Sequence, residues 1–216
     1  MDITVVIPCI YYHFKYIKNL LCIYQKQTLL PKEIIVCVNG CENMPDRNLN
    51  NIYKDLDLKF KVRILQLDFI QTAGFCRQYA SELVKTKYIV YQDADDIPHK
   101  QRLEIIDYFF KKRDPDHLIH LYTFIPNDDR IYDKENLANG RWKVRDKRGG
   151  TKHFGNIAVK KKLIDEIKWT DSNKGEDLKF IDTLLEKNKI SIKIGASLIL
   201  YRRNLSSFAK ENKKIN

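Results

Sequence analysis

Short apolar runs alternate with longer stretches of helical period through the first half of the chain. Residues 3–10 are almost wholly apolar and predict a buried strand. Residues 14–27 place Phe14, Ile17, Leu20, Leu21 and Tyr24 at the spacing of one helix face. After Pro31, residues 33–38 form a second buried strand, and Asn39-Gly40 marks a turn. Residues 43–58 are polar and partly helical, and residues 61–67 alternate as a third strand. Residues 74–86 set Cys76, Tyr79, Ala80, Leu83 and Val84 on one face of a second long helix, before the apolar run Tyr88-Ile-Val-Tyr91. Such alternation predicts an α/β fold. Its mostly parallel, Rossmann-like sheet would carry helices on both faces, because parallel strands need helical crossovers.

The second half is less regular. A helix is expected over 99–112, an alternating strand over 118–124 and a polar stretch over 127–152. A short strand and helix follow over 154–167, a helix starts near Glu176, and Ile190, Ile192 and Ile194 alternate in a late strand. The Lys-rich segment after Phe208 reads as a frayed tail.

The run Tyr88–Tyr91 leads into Gln92-Asp93-Ala94-Asp95-Asp96, three carboxylates within four positions. On an extended backbone Asp93 and Asp95 point to the same side. A pair of that kind suits a hard divalent cation, which takes carboxylate and phosphate oxygens. The carboxyl end of a strand in an open α/β sheet is also where ligands bind. An isolated Asp-x-Asp is more often an acidic turn or helix cap, so the rest of the chain decides between the two.

At 216 residues one domain is expected, with residues 1–97 and 98–207 as its halves and 208–216 as a basic tail. Lys and Arg number 39 against 28 acidic residues, a net charge of +11 that fits nucleic acid, an anionic membrane or phosphorylated small molecules. No apolar run approaches the roughly 20 residues that span a bilayer. The start of the chain lacks a basic region and cleavage site, so no signal peptide is expected. The five cysteines, Cys9, Cys22, Cys37, Cys41 and Cys76, lack zinc-site spacing and read as free thiols of a reducing compartment. A soluble, cytoplasmic protein with at most peripheral membrane contact is expected. The Lys-, Ile- and Asn-rich composition fits an AT-rich bacterial or large-viral genome, hence a host cytoplasm if viral.

Several segments, in order, resemble one family. Residues 5–9 (Val-Val-Ile-Pro-Cys) are similar to its opening strand, and Gln25-Lys-Gln27, Pro31 and residues 33–36 to its next helix and strand. Gly74 to Gln78, ahead of Ala80, resembles a helix opening with Arg-Asn, with Gln78 in place of Asn. Asp93-Ala94-Asp95-Asp96 resembles the metal-binding Asp-x-Asp, Gly175-Glu176-Asp177 the Glu-Asp motif, and Tyr201-Arg202 to Ser207 the closing segment. Over residues 3–207 the chain thus resembles a family-2-type inverting glycosyltransferase with the GT-A fold.

The resemblance implies metal-dependent transfer, with inversion, from a nucleotide-diphosphate sugar to a hydroxyl of a glycan, glycoprotein or glycolipid. A UDP-sugar is the foremost donor. It implies Mn²⁺ or Mg²⁺ on Asp95 with Asp93, and a nucleotide-sugar site at Pro8, Cys9, Asn39, Arg77, Asp93, Ala94, Asp95 and Asn156. Asp177 is the expected general base and Glu176 the second choice. Two departures stand out. Val38-Asn39-Gly40-Cys41 replaces the family's Asp-Asp-Gly-Ser turn, and Asn204 stands where many members have His.

Each assignment has a plainer counterpart. Glu176 and Asp177 also suit a helix N-terminus on electrostatic grounds. Arg77 also reads as a solvated surface residue. The stretch 140–150 is either a basic loop over the diphosphate or solvated surface. Gly155, His153, Arg202 and Arg203 are further possible contacts. Trp142 is placed to stack on a sugar, whereas Trp169 is expected in the core. Two other functions fit parts of the chain. A sugar nucleotidyltransferase shares the α/β start but usually carries a Gly-rich loop after the first strand, and residues 8–13 hold no Gly. A nucleic-acid-binding module fits the charge alone, and no specific nucleic-acid motif occurs.

Overall fold

The computed structural model describes residues 2–123, 131–140, 142–144, 157–172, 175–187 and 189–202. The first half runs β1 (Ile3–Ile10), α1 (Ile17–Gln25), β2 (Glu33–Asn39), β3 (Lys61–Leu67), α2 (Ala73–Glu82) and β4 (Tyr88–Tyr91). The strands stand in the order β3-β2-β1-β4, all parallel. Their apolar runs follow from burial on both faces. In β1, Val5 and Ile7 pack with Leu20, Leu21, Tyr24 and Phe109 on one side of the sheet. Val6 faces the other way and packs with Cys76, Ala80, Leu163 and Phe180. A strand covered on both sides loses its polar alternation, which is why β1, β2 and β4 read as continuous apolar runs, while the partly exposed edge strand β3 alternates.

Beyond β4 come β5 (Ile97–Pro98), α3 (Arg102–Arg113), β6 (His117–Thr123), α4 (Lys134–Gly140), β7 (Trp142–Val144), β8 (Ile157–Lys160), α5 (Leu163–Glu166), α6 (Glu176–Glu186) and β9 (Ser191–Leu200). The sheet continues β4-β8-β6-β9-β5, with β7 also paired to β9. Here β8 is antiparallel to both β4 and β6, β9 is parallel to β6, and β5 and β7 are antiparallel to β9. The result is an α/β sheet with helices on both faces, parallel in its first half and mixed in its second.

Several elements differ from expectation. Residues 43–58 hold no α-helix: two short 3₁₀ turns, Cys41–Asn43 and Leu49–Tyr53, stand there and just before. The polar stretch 127–152 contains α4 and β7, because β9 offers a free edge to pair with. The late strand spans Ser191–Leu200, with Ile192 and Ile194 in it and Ile190 just before its start. On α2 the packed face is narrower than its periodicity suggests. Cys76 and Ala80 are buried, while Tyr79 and Leu83 are 39% and 36% exposed. Trp169 is buried and stacks on Phe180, with centroids 4.1 Å apart. All five cysteines are free. Among the described residues, no helix is long and apolar enough to cross a membrane.

Candidate active site

The strand order reverses direction at β1, which lies between β2 and β4. A crevice opens at such a switch point, beyond the carboxyl ends of the strands. Pro8 and Cys9 stand near the end of β1, Asn39 closes β2, and the acidic loop Asp93–Asp96 follows β4. Asn39 is buried, and its side chain is committed internally. Its Oδ1 accepts from Gln71 N at 3.2 Å, and its Nδ2 donates to Cys9 O at 3.2 Å and Cys76 Sγ at 3.4 Å. Gly40 follows in the left-handed region, φ 73°, where a Cβ would lie 2.9 Å from the Tyr11 ring.

Helix α2 packs against β1 and β2 beside this end of the sheet. Thr72 caps it, with Oγ1 accepting from Phe75 N at 3.1 Å and donating to Asp171 Oδ1 at 2.7 Å. Gly74 lets the helix press onto the chain at Thr170, since a Cβ there would sit 2.1 Å from Thr170 O. That close approach brings Arg77 to the start of α6. Arg77 is only 4% exposed, so the reading as a solvated surface arginine is overturned. Its Nη2 donates to Asp93 Oδ1 at 2.9 Å and its Nη1 to Glu176 Oε1 at 3.0 Å. The guanidinium also lies over the Trp169 ring, 4.9 Å from its centroid.

The remaining carboxylates are held differently. Burial, and then the charge of Asp93, push Asp95 up to about 6, against a smaller downward pull from Arg202. Burial, and then Asp93 and Asp95, push Asp96 up to about 8; its Oδ1 accepts from Arg202 N at 3.1 Å. Asp177, next to Glu176 at the start of α6, is raised above the usual carboxylate range by burial and then by Glu176. Asp95 and Asp177 are thus desolvated acids, and neither forms an ion pair among the described residues, whereas Asp93 and Glu176 share Arg77.

Asp95 beside Asp93 suits a hard cation: two carboxylates sit close enough to repel, and Asp95 forms no ion pair among the described residues. Among the described residues no group of three or more His, Cys, Asp or Glu is arranged to hold a metal. A cation here would therefore draw further oxygens from a phosphorylated ligand or water.

Pro8, Cys9, Asn39, Arg77, Asp93, Ala94, Asp95, Glu176 and Asp177 therefore gather at one end of the sheet. Asn156, with Gly155, His153, Arg203, Asn204, Ser207 and residues 145–150, lies outside the described residues. Two contributors belong to no sequence motif, Gln92 and Arg102. Both are fully buried polar groups with polar neighbours in sequence, so nothing local distinguished them from surface residues.

An open α/β sheet with an acidic loop at its switch point, continued by a mixed second half, defines the GT-A class of fold. The chain belongs to glycosyl transferase family 2, whose family model matches residues 4–168. It is similar in structure to S. aureus TarS. Residues 1–349 of TarS in complex with UDP-GlcNAc give a TM-score of 0.74 at 18% identity, covering 97% of this chain and 61% of that one. The same TarS fragment in complex with UDP gives 0.70 at 18% identity, covering 92% and 60%. A longer TarS structure gives 0.70 at 18% identity, covering 92% of this chain and 36% of TarS. At this identity the likeness is one of fold. This chain spans about 60% of the length of the TarS fragment. Comparison with curated protein sequences finds no match.

Proposed function

We propose that this chain transfers a sugar from a nucleotide-diphosphate sugar to an acceptor hydroxyl, with inversion at the anomeric carbon. The observation that carries the reading is the division of labour among four carboxylates. Arg77 neutralises Asp93 and Glu176, which leaves Asp95 and Asp177 desolvated and free for chemistry. Asp177 is the general base. Its raised proton affinity suits proton abstraction from a hydroxyl better than an ordinary surface Asp. Glu176, the second choice, is tied to Arg77 at 3.0 Å and acts as a positioning group.

Asp95, with Asp93, would hold Mn²⁺ or Mg²⁺, with the donor's phosphate oxygens or water completing its ligands. The bound cation supplies Lewis-acid stabilisation of charge on the departing diphosphate. Arg77 keeps Asp93 oriented toward that position, and the crevice holds the donor in line. Inversion follows from a single displacement, with the base on the face opposite the leaving group.

The donor is a UDP-sugar. TarS, which shares the fold, is seen with UDP and with UDP-GlcNAc. Asn39 fits such a base. Both of its amide hydrogens are spent on Cys9 O and Cys76 Sγ and one lone pair of Oδ1 on Gln71 N, so its remaining capacity is a single acceptor position, which suits an N–H such as that of uracil. The acceptor is a glycan or a glycan on protein or lipid.

The test is thermal unfolding with UDP and Mn²⁺. A ligand that binds only the native state raises the melting temperature by mass action. A rise in the wild type that is absent in Asp95→Ala supports the reading. No rise with any nucleoside diphosphate overturns it.

A further inference from the structure

Arg102 begins α3 directly beneath the acidic loop, and its side chain is fully buried. Its Nε donates to His120 Nε2 at 3.0 Å, its Nη1 to Gln92 Oε1 at 2.6 Å and Tyr24 Oη at 3.2 Å, and its Nη2 to Tyr91 O at 2.7 Å. All four acceptors are neutral. A buried cation held only by neutral groups is costly, and packing alone does not call for one. Burial weakens its hold on the proton, and Tyr24 first, then the charges of Asp93 and Asp96 in the acidic loop, offset part of that cost.

Gln92 connects the two levels. It is fully buried at the end of β4. Arg102 has donors only, so the oxygen of Gln92 must face it, and the amide nitrogen must face the loop. There Nε2 donates to Asp93 O at 2.8 Å and Asp96 O at 3.1 Å. Both ends of the acidic loop are pinned by one amide whose rotamer Arg102 dictates. Tyr24 Oη donates to the same Gln92 oxygen at 3.2 Å and closes the network.

We propose that Arg102 is a positioning residue for this site: through Gln92 it fixes the backbone carbonyls of Asp93 and Asp96, and thereby the direction in which Asp93 and Asp95 present their carboxylates. The role of that loop in binding a donor rests on the function proposed above; the relay itself does not.

Amide hydrogen exchange tests the relay without reference to any ligand. The reporters are Asp96 N–H, bonded to Asp93 O at 3.2 Å, and Arg202 N–H, bonded to Asp96 Oδ1 at 3.1 Å. Amides of β2 serve as the reference. Gln92→Met keeps the volume and removes the relay; Arg102→Met keeps the aliphatic stem and removes charge and donors. Both variants are expected to speed exchange at the two reporters by about ten-fold or more with β2 little changed, a local opening rather than a global one. Unchanged reporters in Gln92→Met, or equal acceleration throughout β2, overturn the proposal. Gln92→Met decides the matter should Arg102→Met fail to fold.

UDP with Mn²⁺ is then titrated against the wild type and Gln92→Met. Weaker binding by the variant supports positioning, and equal binding with a loosened loop overturns it. Faster reporter exchange in a protein whose wild type binds no UDP leaves the relay standing and overturns the donor-site reading alone.

Discussion

Arg77 holds Asp93 and Glu176 at once, at 2.9 and 3.0 Å, and so ties the loop after β4 to the start of α6. The two carboxylates come from opposite halves of the chain, and the cation between them is buried. Removing a partner from a buried ion pair leaves an uncompensated charge. Arg77→Met is expected to cost about 3 kcal/mol or more, read from urea unfolding. Arg77→Lys should recover less than half of that, because an ammonium on one stem cannot serve two carboxylates in a fixed fork. Full recovery by lysine would mean that only charge matters here.

Asp177 and Glu176 are adjacent, yet they are expected to fail differently. Asp177→Asn should lower kcat by about 10²–10⁴, the usual contribution of a general base, and leave stability nearly unchanged. Glu176→Gln should weaken the Arg77 bridge, so its main effect is on stability and on the placement of Asp93. Burial lifts Asp177 above the ordinary carboxylate range, so the acid limb of the rate profile should lie above the pH of about 4 typical of an exposed Asp. A pH-rate profile of wild type and Glu176→Gln checks both points. Removing Glu176 takes away one charge that raises Asp177, so the limb should move down.

Asn39→Asp reverses the polarity of a buried junction. The carboxylate would face Cys9 O, to which the amide now donates at 3.2 Å, and would lose the bond to Cys76 Sγ. An unsatisfied buried acceptor costs about 1–3 kcal/mol. Burial at 3% exposure should raise the introduced acid in the folded state, so the penalty is present above the unfolded value of about 3.9 and shrinks as pH falls toward it. Urea midpoints at pH 7.5 and pH 4.5 should therefore lie closer to the wild type at the lower pH. A variant as stable as wild type at neutral pH would contradict the hydrogen-bond directions given for Asn39.

The sequence carried the first half of the fold because the chemistry there is local. Strands buried on both faces must be continuously apolar, and β1, β2 and β4 read that way at once. The acidic loop was visible as three carboxylates after an apolar strand, but only the other motifs in their order separated it from an ordinary acidic turn. What stayed hidden depends on partners far along the chain. The family resemblance marked Arg77, but not its burial or its bond to Glu176, 99 residues away. Its burial needs Gly74 against Thr170 O, a contact no local pattern encodes. The same holds for β5 and β7, two and three residues long, which exist only because β9 offers an edge to each. Gln92 and Arg102 stayed hidden because each has polar neighbours in sequence and looks exposed until the fold buries it.

His120 gives the fold a dependence on pH that can be isolated. The ring is buried between β6 and α3. Its Nε2 accepts from Arg102 Nε at 3.0 Å and its Nδ1 donates to Leu121 O at 2.8 Å, so it is held neutral in one tautomer. Burial first, and the Arg102 charge second, push it well below the usual histidine value. The folded state thus refuses a proton that the unfolded chain accepts below about pH 6.5. More protons bound in the unfolded state means that stability falls as pH falls, from about 6.5 down to the depressed folded value. The slope from this one group reaches at most about 1.4 kcal/mol per pH unit. His120→Gln keeps an acceptor for Arg102 and does not titrate. Urea unfolding at pH 7.5 and pH 5.5 should show a smaller loss in the variant than in the wild type. Equal losses would mean that His120 takes up its proton without unfolding, and that Arg102 tolerates a second cation beside it.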